Sequence, residues 1–581
     1  MQNPDVARLL DETADLLEIK GENPFRVRAY RNAARTVRDL PEPLADLVSA
    51  GRDLADYPGI GADLAGKIAT IVTTGSLPLH RELERSVPPG LLALLRIPGL
   101  GPKRVRVLHD RLGIRTAAAL HRALDAGRLA GLRGFGPKLA ANIRAGLGLA
   151  ERSERRMLLP EAEASAVALE RYLGSLPGVS RVAVAGSYRR RRETVGDLDV
   201  LLTAPDPAEA IGRLAEYPEV AKVLAQGPTR ATVRLAGGVQ VDLRAVPPES
   251  YGAALLYFTG SKAHNLELRA LAQSRHLKLN EYGLFRGARR VAGATEEEVY
   301  RTLGLDWIPP ELREARGEIA LARTHRLPRL VTLDQVRGDL QMHTTASDGQ
   351  SGVAELARAA EARGYEYIAV TDHSRRVTMA HGLDPRRLRA QWRAIDAWNR
   401  AHEGLTVLKS VEVDILETGA LDLPDDVLAE ADYVVAALHY GTRQRARDIT
   451  RRLVAAARHP WVDAIGHPTG RLLGKREAYE LDFDALARAA ADAGCLLEIN
   501  GQPERLDLPD TLAAAARARG VRFVLSTDSH QPAHLAFMRY AVDVARRAGL
   551  ERSDVVNTLP LARFRQALKR HAARPPMRRA G

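Results

Sequence analysis

Asp197 and Asp199 stand two residues apart in Gly196-Asp197-Leu198-Asp199-Val200-Leu201-Leu202, shortly after a Gly186-Ser187 pair and a run of four arginines, Arg189–Arg192. As a strand, 197–202 points both carboxylates to one face. Two acids crowded on one face repel each other unless cations sit between them, so the pair reads as a divalent-metal site. The Gly186-Ser187 turn offers backbone N–H groups and a hydroxyl to a phosphate. Metal and phosphate cradle together point to phosphoryl or nucleotidyl transfer by two metal ions. Asp242 lies in a second run, 239–246, where Val241, Leu243 and Ala245 alternate with polar residues, so it falls on the polar face as a third candidate carboxylate. A lone acid on a strand is ordinarily a surface residue; Asp242 takes its meaning from the pair.

A second set of candidate ligands lies further along the chain. It comprises His343 and Asp348, His373 in Thr371-Asp372-His373-Ser374, Glu412 in Val411-Glu412-Val413-Asp414, His439 in Ala437-Leu438-His439-Tyr440, His467 in Gly466-His467-Pro468, and Asp528 and His530 in Thr527-Asp528-Ser529-His530. A single histidine in such a setting is more often a core or surface residue than a ligand. Five that each follow an apolar run, accompanied by acids, are not an accident of composition. Cys495 is the sole cysteine, so no intramolecular disulfide forms and metal must be held by imidazole and carboxylate. That donor set suits Zn²⁺ or Mn²⁺ better than Mg²⁺, and clustered ions sharing a carboxylate would hydrolyse a phosphoester.

The elements that must position these residues follow from patterning. In 336–575, apolar runs such as Tyr367–Val370, Tyr433–Ala436, Leu496–Ile499 and Phe523–Leu525 alternate with Ala/Arg-rich helical stretches. This predicts a parallel α/β barrel with its chemistry at the C-terminal strand ends. Residues 155–250 alternate strands and helices, with a hairpin through Gly237-Gly238. Residues 1–150 repeat one short element three times: Tyr57-Pro58-Gly59-Ile60-Gly61, Ile97-Pro98-Gly99-Leu100-Gly101 and Leu132-Arg133-Gly134-Phe135-Gly136. This is the helix-hairpin-helix signature. Gly59, Gly61, Gly99, Gly101, Gly134 and Gly136 permit tight turns whose amides open the next helix to a phosphate, and Lys103 and Lys138 add charge beside them. One such copy could be an idle helical hairpin; three imply nucleic-acid affinity without sequence preference. Lys and Arg outnumber Asp and Glu by 85 to 72, a net charge of +13, which also favours a polyanionic partner. The N-terminus lacks a signal-peptide pattern and no apolar run approaches membrane-spanning length, so a soluble cytoplasmic protein with no membrane partner is expected.

At this point the residues resemble two known families. Residues 1–316 are similar to DNA polymerases of the X family, the polymerase beta type, on Gly186-Ser187, Asp197-x-Asp199, Asp242 and the more specific block Tyr257-Phe258-Thr259-Gly260-Ser261. Residues 336–575 resemble the PHP (polymerase and histidinol phosphatase) phosphoesterases. Together they resemble the bacterial and archaeal X-family polymerases that also carry a 3′→5′ exonuclease. The resemblance implies a multidomain α and α/β fold: a lyase-like helical domain at 1–85, a fingers-like domain with two hairpins at 86–152, a nucleotidyltransferase palm at 153–250, a thumb at 251–316, a linker at 317–335 and a distorted PHP barrel at 336–575.

It also implies roles. Asp197 and Asp199 would bridge two Mg²⁺ or Mn²⁺ ions, with Asp242 completing the site that activates the primer 3′-hydroxyl. Gly186, Ser187, Arg190 and Gly196 match triphosphate positions. Tyr257, Phe258 and Gly260 lie beside the sugar, Asn265 at the minor groove of the incoming nucleotide, and Arg244 where the site closes. At least two of Arg189–Arg192 are expected to be a solvated basic run. Lys67 falls at the Schiff-base lysine, although Asp63 and Arg26 stand where the family has phosphate-binding lysines. In the PHP part Gln341 occupies the first histidine position, and a neutral amide is a weaker ligand than imidazole. Up to three Mn²⁺ or Zn²⁺ ions would be held by Gln341/His343/Glu412/Asp528, Glu412/His439/His467 and Asp348/His373/His530. The implied partners are gapped or nicked DNA, template-primer ends and dNTPs, acted on by a monomeric repair polymerase with a 3′→5′ exonuclease; the family also admits incision at abasic sites. The competing reading is a DNA-end-binding protein with an idle polymerase site and a PHP small-molecule phosphatase.

Overall fold

The computed structural model of the 581-residue chain describes residues 3–40, 44–57, 59–87, 91, 94, 100–129, 132, 135–136, 139–140, 143 and 156–569. The chain divides into two compact units, 1–155 and 156–581. Among the described residues no helix is long and apolar enough to cross a membrane.

The first unit is helical. Asn23 starts the helix Pro24–Asp39 by accepting a hydrogen bond from the Phe25 N–H, with Pro24 in the first turn. Val27, Tyr30, Ala34 and Val37 of this helix share one apolar core with Leu10, Ala14 and Leu17 of the helix Asn3–Lys20. The helices Ala62–Thr74 and Pro102–Leu112 each begin after a glycine, Gly61 and Gly101, with no side-chain cap.

The second unit begins with a five-stranded sheet in the order Arg181–Val184, Asp197–Thr203, Gln240–Ala245, Arg230–Leu235, Val220–Gln226. Its second and third strands run parallel and the other neighbours antiparallel. The expected hairpin is present, Arg230–Leu235 pairing with Gln240–Ala245. Residues 251–323 add helices Tyr251–Thr259 and Lys262–Ser274 and a small three-stranded sheet around their own core.

The remainder forms a seven-stranded sheet, all parallel, in chain order from Gly338–Asp339 to Phe523–Ser526. Its two edges meet. Met342 and Ser529 form a parallel bridge, and His343 N–H donates to the Ser529 carbonyl at 2.7 Å. The expected barrel therefore closes just beyond the first and last strands, where the candidate ligands stand.

Candidate active sites

The strand Asp197–Thr203 turns Leu198 and Val200 into the core and leaves Asp197 and Asp199 on the other face. Its parallel partner sets Asp242 opposite Asp199, so register brings three carboxylates together. Thr232 Oγ1 and Gln240 Nε2 donate to Asp242 at 2.5 and 2.8 Å and hold it there. Burial, and then the charges of Asp197 and Asp242, push the Asp199 carboxyl up to about 7; burial and Asp242 raise Asp197 as well. Carboxylates that resist ionising together are matched to a cation. Gly186 has φ +62, and a Cβ there would lie 2.5 Å from Asp199 Oδ2. Only a glycine lets the turn come this close.

Asp197 and Asp199 open onto a cleft of 510 Å³ whose lining includes Ser187, Arg190, Tyr257, Phe258 and Asn265. Gly186 and Gly260 line it too, and a Cβ on Gly196 would meet Arg156 Nη1 at 3.1 Å. Asn265 Nδ2 donates to the Tyr257 carbonyl at 2.7 Å, while its Oδ1 is buried with no partner among the described residues. Arg244 lies outside this lining, its guanidinium 4.6 Å from the Phe258 ring centroid, and with Asp242 it lines a neighbouring hollow. The sequence reading missed Arg269, which covers Tyr257 at 5.1 Å.

The expectation of a partly solvated arginine run fails, because every one of the four has a carboxylate within reach. Arg189 makes two hydrogen bonds to Glu296, at 2.7 and 2.8 Å, and buried Arg313 grips the same carboxylate. Arg190 Nε donates to Glu314 at 3.1 Å. Arg191, at φ +54, reaches Asp543 and Glu163 at 2.8 and 3.1 Å. Arg192 lies 3.9 Å from Glu314. These acids are distant in sequence, so no local pattern announced them.

In the barrel, Glu412 is the hub. Its Oε2 lies 3.4 Å from His343 Nε2 and 3.2 Å from His373 Nδ1; its Oε1 lies 3.4 Å from His439 Nε2 and 3.0 Å from His467 Nε2. Asp528 sits 3.1 Å from His343, and Asp348 lies 3.4 Å from His373 and 3.6 Å from His530. Burial works against the Glu412 charge, but His373, His439 and His467 overcome it and hold the carboxyl well below its ordinary range. Burial likewise opposes a charged His343, yet Asp528, Glu412 and Asp348 carry it up to about 10. His343 Nδ1 and Nε2, His373 Nδ1 and His439 Nε2 are buried and make no well-aligned hydrogen bond among the described residues. Ring nitrogens and carboxylate oxygens gathered in this way fit a cation site, where an ion would replace the protons. Among the described residues three groups have ligand atoms close enough to hold an ion: His343/Asp348/His530, His343/His373/Glu412 and Glu412/His439/His467. His467 and Asp528 take positive φ, 28° and 50°, a conformation that costs non-glycine residues energy and recurs at functional sites. Gln341 is 1 % exposed with both amide atoms unpartnered among the described residues.

Family models match four segments: a helix-hairpin-helix domain at 1–77, a SAM-like helix-hairpin-helix tandem at 91–148, the DNA polymerase beta palm at 156–228 and the DNA polymerase beta thumb at 254–314. The DNA polymerase/3′-5′ exonuclease PolX of Bacillus subtilis (strain 168) is 37% identical over 98% of this chain and 100% of its own. The chain belongs to the PolX family. Two partial likenesses divide along the same line. A probable phosphatase of Thermoanaerobacter sp. (strain X514) is 30% identical over 38% of this chain and 89% of its own. DNA polymerase lambda of Arabidopsis thaliana is 26% identical over 54% of this chain and 62% of its own.

Two supporting residues of this PolX chain went unread in the sequence although they sit in quoted motifs. Asp414, two residues after Glu412 on the same strand, accepts from the His439 backbone N–H at 3.0 Å and lies 3.1 Å from His439 Nδ1, which fixes the ring. Glu498 accepts from the His467 N–H at 2.5 Å and is pushed up to about 8, first by burial and then by Asp528. The period-two spacing of Glu412 and Asp414 was the available signal for the first; Glu498 had none.

In the helical unit Gly59 has φ +82, and Cβ atoms on Gly61, Gly101 and Gly136 would meet nothing within 4 Å, so the chain is open to a close approach at these three glycines. Exposed Lys103 stands in the first turn after Gly101. Gly99, Gly134 and Lys138 lie outside the described residues. Lys67 is held contrary to amine attack. Burial favours the neutral amine, but Nζ donates to Asp63 at 2.6 Å, and Asp63 together with Tyr30 raises its pKa above the ordinary lysine value. A Schiff-base nucleophile needs the opposite direction.

Proposed function

We propose that this chain fills short gaps in DNA by templated nucleotidyl transfer at Asp197, Asp199 and Asp242, and trims 3′ ends by phosphoester hydrolysis in the barrel. The register that sets Asp242 against Asp199 beside the 510 Å³ cleft carries the first half of this reading. Mg²⁺ or Mn²⁺ held by these acids would supply charge for the triphosphate and activation of the primer hydroxyl. The chain's own groups do the rest. Ser187, the amides of the Gly186 turn and Arg190 would orient the phosphates, Tyr257 and Phe258 would flank the sugar, and Asn265 would stand at the minor-groove edge of the base. In the barrel, Glu412 with His343, His373, His439 and His467, and His343 with Asp348 and His530, would hold up to three Mn²⁺ or Zn²⁺ ions that would supply an activated water and charge for the leaving oxygen, with Asp414 fixing His439. The helix-opening turns at Gly61, Gly101 and Gly136 would hold the DNA backbone. Lyase chemistry at Lys67 is left out, because its ammonium is paired.

Extension of a one-nucleotide gap and release from labelled 3′ ends test the reading together. Asp197→Ala is expected to abolish extension and spare release, and His439→Ala to do the reverse. Loss of both activities from either change would refute two separate centres. No metal-dependent extension by the unaltered protein would favour a DNA-end-binding protein with a phosphatase barrel.

A further inference from the structure

The helix Met538–Arg547 belongs to the barrel, yet its last residue is bonded to Arg190, which lines the polymerase cleft. Arg547 is 5 % exposed. Its Nη1 donates to the Arg190 carbonyl at 2.7 Å and to Glu314 Oε1 at 3.1 Å, and its Nη2 donates to Asp510 at 2.8 Å. The same Glu314 oxygen accepts from Arg190 Nε at 3.1 Å, while Arg190 Nη1 donates to the Thr259 carbonyl. Arg190 is thus held on two of its three nitrogens, and Nη2 is left with no hydrogen bond among the described residues, on a side chain that lines the cleft.

The arrangement is a relay with one carboxylate shared by two guanidiniums. Glu314 alone would be free to follow Arg190 as its side chain changes rotamer. With Arg547 on the same oxygen and on the Arg190 main chain, both ends of the Arg190 side chain are tied to a buried point. Asp510, held by Arg547 and by Arg316 at 2.9 Å, anchors that point in turn. A planar guanidinium can serve two acceptors and a carbonyl at once; an ammonium cannot reproduce the fork.

We propose that Arg547 is a positioning residue for nucleotide binding: through Glu314 and the Arg190 carbonyl it fixes the direction in which Arg190 presents Nη2 to the triphosphate. This rests on the reading of Arg190 as a triphosphate ligand. The polymerase cleft then depends on the nuclease domain for nucleotide affinity, although no barrel residue among the described residues lines the cleft.

The experiment is single-nucleotide gap filling by the full chain, with dNTP KM and kcat measured separately and 3′-end release run on the same preparations. Arg190→Ala tests the underlying reading and should raise dNTP KM at least about tenfold; an unchanged KM would overturn that reading itself. Given that rise, Arg547→Ala should raise dNTP KM about three- to tenfold, keep kcat within twofold and leave 3′-end release intact. Arg547→Lys should recover only part of the loss. Combining Arg547→Ala with Arg190→Ala should add nothing to Arg190→Ala, since the one acts through the other. An unchanged KM in Arg547→Ala, or additive losses in the pair, would refute the relay. Should Arg547→Ala also lose 3′-end release, Glu314→Gln decides, because it removes the shared charge without altering the barrel; an unchanged dNTP KM there refutes the proposal.

Discussion

Replacing Asp199 by asparagine should stabilise the palm when divalent ions are withheld, even though it destroys the polymerase site. The ion-free cleft holds Asp197, Asp199 and Asp242 on one face, and the Asp199 carboxyl is raised from 3.8 to about 7 by burial and by its two neighbours. That difference corresponds to a ceiling of about 4 kcal/mol, at 1.36 kcal/mol for each pH unit. The cleft is open to water, so roughly half is the expected effect. The sign follows from linkage. A carboxyl whose folded pKa lies above its unfolded one contributes stability below pH 3.8, loses it as the pH rises toward 7, and contributes none beyond. Between pH 5 and 8 the ion-free palm should therefore lose about 1–2 kcal/mol that the Asp199→Asn variant keeps. A chain of several domains does not melt as one unit, so the assay is hydrogen exchange at the amides of Asp197–Thr203 and Gln240–Ala245 in chelator. Wild type and variant are compared at equal pH. Excess Mg²⁺ should reverse the order, protecting wild type more than the variant. Identical pH profiles in chelator, or equal protection by Mg²⁺, would refute the argument that these acids are mutually strained without a cation.

Asp63→Asn removes the carboxylate that keeps Lys67 protonated; borohydride trapping on DNA with a 5′ abasic sugar should be near background for wild type and rise several-fold in the variant, and no rise would show that more than this pair silences the lysine. Gln341→His supplies imidazole where the buried amide has no partner; metal analysis of dialysed protein should show metal retained at about 10- to 100-fold lower free ion, and an unchanged content would place Gln341 outside the ion shell.

The fold and most of the candidate ligands were legible because they depended on short-range pattern. Alternation around Leu198 and Val200 showed which way Asp197 and Asp199 face, and apolar runs ending in histidine gave the barrel its ligand-bearing rim. Asp242 was legible only as a polar-face acid; its place opposite Asp199 is set by strand register, which no local spacing encodes. The arginines show where such reading stops. Nothing near Arg189–Arg192 reveals that their carboxylates come from Glu163, Glu296, Glu314 and Asp543. A buried ion pair needs a partner folded against it, and the run looked solvated because the partners were out of view. Lys67 failed differently. Its position was legible, but the protonation its chemistry requires is decided by Asp63 one turn away.

The closure of the barrel also orders events during synthesis. Asp339, at the end of the first strand, meets its Thr527 partner only across 188 residues, and the first and last edges join through Met342 and Ser529. The palm sheet has all its strands once residue 245 has left the ribosome. The candidate ion group of His343, Asp348 and His530 cannot be assembled before His530 emerges. A chain cut short anywhere between these points carries the complete palm sheet and an open barrel rim. Of the two candidate sites, the barrel rim is the one completed later in synthesis.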